Sequence, residues 1–124
     1  MAARAHLICA SSDLVEGGDG VRFSVPAADG PASAFAVRYG GRVHAYLNRC
    51  AHVPVELDWE PPGRFFDLTG CYLICAVHGA HYEPYSGRCV IGPCKGRSLV
   101  PVAVTERDGN LYLMEEDDGQ RRQA

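Results

Sequence analysis

Two short stretches, Cys50-Ala51-His52 and Cys75-Ala76-Val77-His78, are separated by 22 residues of this chain. Each stretch carries one cysteine and one histidine, so together they supply two thiolates and two imidazoles. Thiolates select soft metals and iron–sulfur clusters, and imidazole suits zinc, copper and iron. The two stretches therefore predict a metal centre with two cysteine and two histidine ligands, with the fold built around it.

The order of the ligands separates the possible metal centres. A structural zinc site of this composition usually takes both cysteines from one turn and both histidines from one helix. Here each loop carries one ligand of each kind, which is typical of a [2Fe–2S] centre with two cysteines on one iron and two histidines on the other. We therefore expect a [2Fe–2S] cluster as the cofactor. A zinc-stapled interaction module without a redox role is the less favoured alternative.

In these motifs, and in its layout of strands and turns, the chain resembles the Rieske-type [2Fe–2S] proteins. The resemblance implies that Cys50 and Cys75 bind the inner, buried iron and that His52 and His78 bind the outer iron near the surface. Two neutral imidazoles in place of two thiolates remove negative charge from the cluster, which raises its reduction potential.

The resemblance also assigns residues around the cluster. Gly79 is expected to allow a backbone turn close to the metal that a Cβ would obstruct, and Gly92-Pro93 to form a rigid lid. In high-potential relatives a serine hydroxyl bonds to a bridging sulfide and a tyrosine bonds to a cysteine sulfur. Ala80 occupies the serine position and Tyr82 the tyrosine position, which implies a potential in the lower part of the Rieske range.

Respiratory members of the family carry an extra cysteine in each ligand loop, and these two form a disulfide. Val55 and Val77 stand at those positions, so the chain is more similar to the soluble Rieske ferredoxins. That resemblance implies a one-electron carrier between a reductase and a terminal oxygenase or reductase, with no substrate chemistry of its own. An alternative is a small accessory Rieske subunit of a larger reductase, of the nitrite reductase type.

Length and composition agree with a single domain over residues 1–124. At this length a domain buries roughly two-thirds of its unfolded surface. The net charge of −3 argues against a nucleic-acid surface. No apolar stretch has the length of a signal peptide or a membrane span, so we expect a cytoplasmic protein without a membrane partner.

The four remaining cysteines are expected to be free thiols, because a reducing compartment disfavours disulfides. Cys9 and Cys71 are interpreted as buried side chains in apolar strands. Cys89 and Cys94 flank the lid and are interpreted as small thiols packed in a turn, with a disulfide beside the cluster as the alternative. His81 is interpreted as an exposed loop histidine rather than a ligand.

Short apolar runs separated by glycine-rich turns predict an all-β, Rieske-like antiparallel β-sandwich. A cluster-binding subdomain of about residues 48–94 is inserted into it, and residues 115–124 form a frayed polar tail. A helical turn is expected at 11–16, and Asp58 is interpreted as part of a solvated acidic loop. Strands are predicted at 7–9, 21–25, 34–39, 42–47, 64–68, 72–74, 81–83, 88–91, 99–104 and 110–114.

Overall fold

The computed structural model of the chain describes residues 4–26, 30–51, 55–58, 63–76 and 79–115. Within these ranges the secondary structure consists of nine strands and one 3₁₀ turn, Ser11–Asp13. The strands are β1 Arg4–Ala10, β2 Val21–Val25, β3 Ala32–Tyr39, β4 Arg42–Leu47, β5 Leu73–Ile74, β6 His81–Tyr82, β7 Cys89–Ile91, β8 Val104–Arg107 and β9 Asn110–Glu115. In this part of the chain no helix has the length and apolar character needed to cross a membrane.

The strands form three antiparallel sheets of three strands each, in the orders β1-β9-β8, β2-β3-β4 and β5-β6-β7. The third sheet is inserted in the chain between β4 and β8. The prediction of an all-β antiparallel fold is therefore confirmed.

The sheet β2-β3-β4 lies between two cores because β3 is buried on both of its faces. Ala34 and Ala36 point to one face, where they pack with residues of β1 and β9. Phe35 and Val37 point to the other face and join the core that surrounds the third sheet. Successive side chains of a strand alternate between faces, so β3 places small residues against one sheet and large residues against the core around the third sheet.

Tight turns of the same kind close two of the hairpins. Gly40 and Gly41 join β3 to β4 with φ angles of 65° and 78°, and Asp108 and Gly109 join β8 to β9 with φ angles of 53° and 79°. Two consecutive residues with positive φ are the requirement of a type I′ hairpin turn. The Gly-Gly hairpin predicted from the sequence is confirmed, and the Glu16 carboxylate accepts hydrogen bonds from the amides of both glycines.

Three predicted elements differ from those observed. Residues 64–68 form no strand and contribute only a single bridge, from Phe66 to Leu73. The predicted strand 99–104 is not formed. Residues 100–102 bond to the edge of β4 only at the isolated bridge from Tyr46 to Pro101, through the Val100 carbonyl and the Val102 N–H, and Val104 belongs to β8. The expected helical turn at 11–16 is limited to the 3₁₀ turn, after which Leu14 enters the core.

Candidate metal centre

The first predicted ligand loop starts directly after β4. Cys50 is only 3% exposed, and its backbone N–H donates to the Val55 carbonyl at 2.8 Å, which closes the loop on itself. Val55 is half-buried and packs against the same core as Cys50. A cysteine held in this way presents its sulfur to the interior rather than to solvent.

A buried polar pair, Asn48 and Asp58, holds the ends of this loop together. The Asn48 amide donates to the Asp58 carboxylate at 2.8 Å and accepts from the Leu57 N–H at 2.8 Å. The second carboxylate oxygen of Asp58 accepts from the Gly63 N–H at 2.8 Å, and Arg22 lies 3.5 Å from it. The interpretation of Asp58 as a solvated residue is therefore wrong, because its side chain is buried and both of its carboxylate oxygens are hydrogen-bonded within the protein.

Sequence reasoning also missed the structural role of Asn48. The available signal was a short polar side chain at each end of a loop expected to surround a buried cysteine. Such side chains satisfy backbone groups that a buried loop cannot pair in a ladder. The pair is thus a scaffold for the first ligand loop.

The second predicted ligand loop connects β5 to β6. Cys75 is fully buried. Its N–H donates to the Ala80 carbonyl at 2.9 Å, and its own carbonyl accepts from the Gly79 N–H at 2.8 Å. The Ala76 N–H donates to the Leu57 carbonyl at 3.0 Å, so a backbone hydrogen bond ties the second loop to the first.

Tyr82 lies at the centre of this region and has no exposed surface. Its hydroxyl accepts from the Ala51 N–H at 3.0 Å, and it lies 3.3 Å from the Cys50 sulfur and 3.2 Å from the Cys94 sulfur. Burial raises the pKa of Tyr82 far above its ordinary value, and the neighbouring thiols raise this pKa further. The phenol therefore keeps its proton and can donate it to a cysteine thiolate.

Two glycines near the ligand loops act for different reasons. Gly79 has a φ of +72°, but a Cβ there would contact nothing within 4 Å among the described residues, so its backbone conformation is what favours glycine. The clearance predicted between Gly79 and the metal stays a prediction. Gly92 has a steric requirement within the protein itself, because a Cβ there would lie 2.9 Å from the Ala80 Cα. Gly92 and Pro93 are exposed, and this segment packs closely over the second loop.

Ala80 itself is completely buried and brings no hydroxyl to the region. His81, expected in an exposed loop, lies in β6 and is half-buried. Its Nδ1 is 2.8 Å from the Gly79 carbonyl oxygen and its Nε2 is 3.6 Å from the Asp67 carboxylate. It therefore supports the second loop from the side.

All six cysteines lie in the described residues, and none forms a disulfide. Cys9 is partly buried in β1, in partial agreement with the sequence interpretation. Cys71 is exposed, so its interpretation as a buried strand residue is wrong. It lies in the turn after Asp67, where Thr69 accepts from its N–H. Cys89 and Cys94 are buried, as expected, with their sulfur atoms 2.9 Å apart.

The predicted ligands His52 and His78, together with Val77, lie outside the described residues. Within the described ranges no group of three or more His, Cys, Asp or Glu side chains could hold a metal ion. The residues present nevertheless fit an iron–sulfur cluster. Cys50 and Cys75 belong to one dry core, and a neutral hydroxyl donor faces the Cys50 sulfur.

Solved structures of known function share this architecture. The ferredoxin of carbazole 1,9a-dioxygenase from Nocardioides aromaticivorans IC177 is 20% identical, with a TM-score of 0.69 over 90% of this chain and 98% of that one. The terminal oxygenase of the same system and organism is 22% identical, with a TM-score of 0.69 over 93% of this chain but only 31% of the oxygenase. A complex of reduced oxygenase and oxidized ferredoxin in carbazole 1,9a-dioxygenase contains a chain 22% identical, with a TM-score of 0.67 over 92% of this chain and 97% of that chain. At sequence identities of this level, the similarity to these structures establishes a shared fold and nothing further.

No curated protein sequence matches the chain. The family description of the Rieske [2Fe-2S] domain does match it, over residues 4–116. That span includes both ligand loops, all three sheets and the buried tyrosine between them. The protein therefore belongs to the Rieske [2Fe–2S] domain family, and its cofactor is a [2Fe–2S] cluster.

Proposed function

We propose that the protein is a one-electron carrier, the ferredoxin-type component of a multi-component oxidoreductase or oxygenase system. The observation that supports this most is the extent of the structural matches. The chain covers 98% of a ferredoxin but only 31% of a terminal oxygenase with the same domain. Its partners would be a reductase that supplies electrons and a terminal oxygenase or reductase that accepts them.

We also propose that residues 1–124 form one Rieske domain, with a cluster-binding part of about residues 48–94. In this part Cys50 and Cys75 bind one iron and His52 and His78 bind the other. When bound, the cluster supplies a site that accepts and releases a single electron. The donor set of this proposal is supported by the burial of both cysteines in one core.

The protein's own contribution is to hold the ligands, exclude water and tune the sulfurs. The Asn48–Asp58 pair fixes the first loop, and the hydrogen bond from Ala76 to Leu57 joins the two loops. Tyr82 keeps a proton beside the Cys50 sulfur. We assign no substrate chemistry to the chain, and its six cysteines without a disulfide fit a reducing compartment such as the cytoplasm.

Iron and acid-labile sulfide analysis of anaerobically purified protein tests the cofactor and its ligands. We expect equal amounts of iron and sulfide, a red-brown colour and loss of the native electron paramagnetic resonance spectrum in His78→Cys. Cys71→Ser, at an exposed cysteine away from the loops, is the matched control and should keep that spectrum. Zinc in place of iron would overturn the cluster and with it the proposed electron transfer.

Electron delivery tests the carrier role. A flavin-dependent ferredoxin reductase with NAD(P)H and cytochrome c should reduce the cytochrome at a rate that rises with the concentration of the protein. The same protein stripped of iron should give no such rise. A protein that holds its cluster, does not shuttle electrons and purifies only with a large reductase would be an accessory subunit instead.

A further inference from the structure

The sulfur atoms of Cys89 and Cys94 are in contact beside the proposed cluster site. The Cys94 thiol donates to the Cys89 sulfur at 2.9 Å, and the Cys89 thiol donates to the Ile91 carbonyl at 3.3 Å. Both residues are about 1% exposed. Neither is among the ligands proposed for the cluster, so this buried pair of thiols has no assigned role.

Backbone hydrogen bonds hold Cys89 and Cys94 close to each other. The Cys89 N–H donates to the Arg97 carbonyl at 2.7 Å, and the Gly96 N–H donates back to the Cys89 carbonyl at 3.0 Å. The Arg97 N–H donates to the Cys94 carbonyl at 2.8 Å. Residues 92–97 are therefore folded back onto β7. A disulfide needs a sulfur–sulfur distance of about 2.05 Å, so an approach of less than an ångström separates the thiol pair from a bond.

We propose that Cys89 and Cys94 form a redox site of their own, which closes reversibly to a disulfide when it reacts with a low-molecular-weight disulfide. Each thiol gives up its proton and the two sulfurs form one bond. The two electrons go to the small disulfide, whose sulfur–sulfur bond breaks to give two thiols. The exchange passes through a mixed disulfide on one of the cysteines.

The small disulfide would approach the pair from a surface recess beside β7. The recess has a volume of about 450 Å³, and its lining includes Cys89 together with the cationic residues Arg88 and Lys95. The acidic residue of this lining, Glu83, accepts hydrogen bonds from its neighbours Tyr85 and Ser86. The two cations suit an anionic reactant such as oxidised glutathione.

The reaction is expected to be slow. Burial raises the pKa of the Cys89 thiol to about 11, and the hydrogen bond with Cys94 contributes to this shift. Only the thiolate attacks a disulfide, so a small fraction of the protein reacts at any moment near neutral pH. The site therefore responds to sustained rather than brief oxidation.

Formation of the Cys89–Cys94 disulfide affects the proposed cluster ligand Cys50 through Tyr82. The Tyr82 hydroxyl lies 3.2 Å from the Cys94 sulfur and 3.3 Å from the Cys50 sulfur. When Cys50 is a thiolate, the Tyr82 proton points to Cys50, and the single Cys94 proton can turn from the Cys89 sulfur to the Tyr82 oxygen. A disulfide has no such proton, and loss of it makes the phenol a poorer donor to Cys50. This coupling rests on the proposed ligand role of Cys50.

Peptide mapping tests the redox site independently of the cluster. Trypsin cleaves after Arg88 and Lys95, so one peptide of residues 89–95 contains both cysteines and no others. Cluster-loaded protein is incubated with oxidised glutathione, alkylated with iodoacetamide, digested and weighed. We expect this peptide to carry no alkyl group after oxidation and to weigh two hydrogens less than the unalkylated dithiol peptide. Treatment with dithiothreitol before alkylation should restore the doubly alkylated peptide. Cys71, which is exposed, should instead carry glutathione.

Variants define which outcome overturns the proposal. In Cys94→Ser the peptide should never lose two hydrogens, and Cys89 should be found only as a thiol or as a glutathione adduct. A parent peptide that remains doubly alkylated, or that carries glutathione without an internal disulfide, overturns the redox site.

The midpoint potential of the two forms tests the coupling. We expect a lower midpoint in the disulfide form, and no difference between the forms in Tyr82→Phe. Closure that leaves the parent midpoint unchanged overturns the coupling through Tyr82. A protein that binds no cluster refutes the proposed function, while the peptide result still decides the redox site.

Discussion

Replacing Tyr82 with phenylalanine removes one buried hydroxyl and keeps the ring. The Ala51 N–H then loses the acceptor that it reaches at 3.0 Å. A buried donor left unsatisfied costs about 1–3 kcal/mol, so Tyr82→Phe should lower the free energy of unfolding by that amount.

The same change should lower the reduction potential of the cluster. The hydroxyl lies 3.3 Å from the Cys50 sulfur, and the sulfur carries more negative charge when the cluster is reduced. Hydrogen bonds to charged groups are worth about 1 kcal/mol more than neutral ones. For a one-electron couple a tenfold change corresponds to about 59 mV, so 1 kcal/mol corresponds to about 40 mV. We expect a midpoint lower by about 40 mV.

Protein-film voltammetry of the parent and two variants checks this reasoning. The matched control is Tyr46→Phe. The Tyr46 hydroxyl is buried in the same core and donates to the Pro84 carbonyl at 2.7 Å, away from the cysteine sulfurs. The control should lose stability and keep its midpoint. An unchanged midpoint in Tyr82→Phe, or an equal shift in both variants, would refute the tuning role of Tyr82.

Further predictions concern the stability of the ligand loops and of the base, the part of the fold formed by the sheets β1-β9-β8 and β2-β3-β4. Gly92→Ala should destabilise the protein by about 1–3 kcal/mol more than Gly96→Ala in denaturant titrations, because both glycines have positive φ but only Gly92 faces backbone at 2.9 Å. Asn48→Ala should cost about 2–4 kcal/mol in the same assay, since it leaves a buried carboxylate and a backbone N–H without their partner. Glu106→Gln should cost up to about 1 kcal/mol at pH 7. Arg38 holds the pKa of Glu106 below its ordinary 4.5, so this contribution is present above that value and is lost as the pH falls through the lowered pKa, as thermal unfolding across pH will measure.

Local patterns in the sequence were sufficient for much of the base of the fold. The strand at 21–25 and the hairpin closed by Gly40-Gly41 were predictable because alternation and turn chemistry act between neighbours in the chain. The ligand prediction, which stays a prediction, rests on a related reason. Cys50 and Cys75 each share a short loop with a histidine, and that order of ligand types restricts the chemistry.

The errors lie where contacts between distant residues decide the structure. Phe65 and Phe66 suggested a strand, but both are buried, and Phe65 stacks on Phe35 at a centroid distance of 4.0 Å. Within the described residues, backbone pairing in this segment is limited to two hydrogen bonds, from the Ile74 N–H to Phe65 and from the Asp67 N–H to Tyr72, and side-chain packing adds to them. Asp58 appeared to belong to a solvated acidic loop, whereas its partner Asn48 lies ten residues earlier in the chain. Neither contact leaves a periodic pattern in the sequence.

The central strand β3 couples the stability of the base to that of the part of the protein that contains Cys50 and Cys75. Its alanine face closes the core of the base, and Phe35 and Val37 on its other face close the core that contains Cys50 and Cys75. Opening the metal-binding half therefore exposes one side of a strand on which the base depends. Loss of the cluster should speed hydrogen exchange at the amides of β3, because local openings follow packed units of the structure. Oxidative damage at the cluster would in this way raise the fraction of the whole chain that is unfolded and open to degradation.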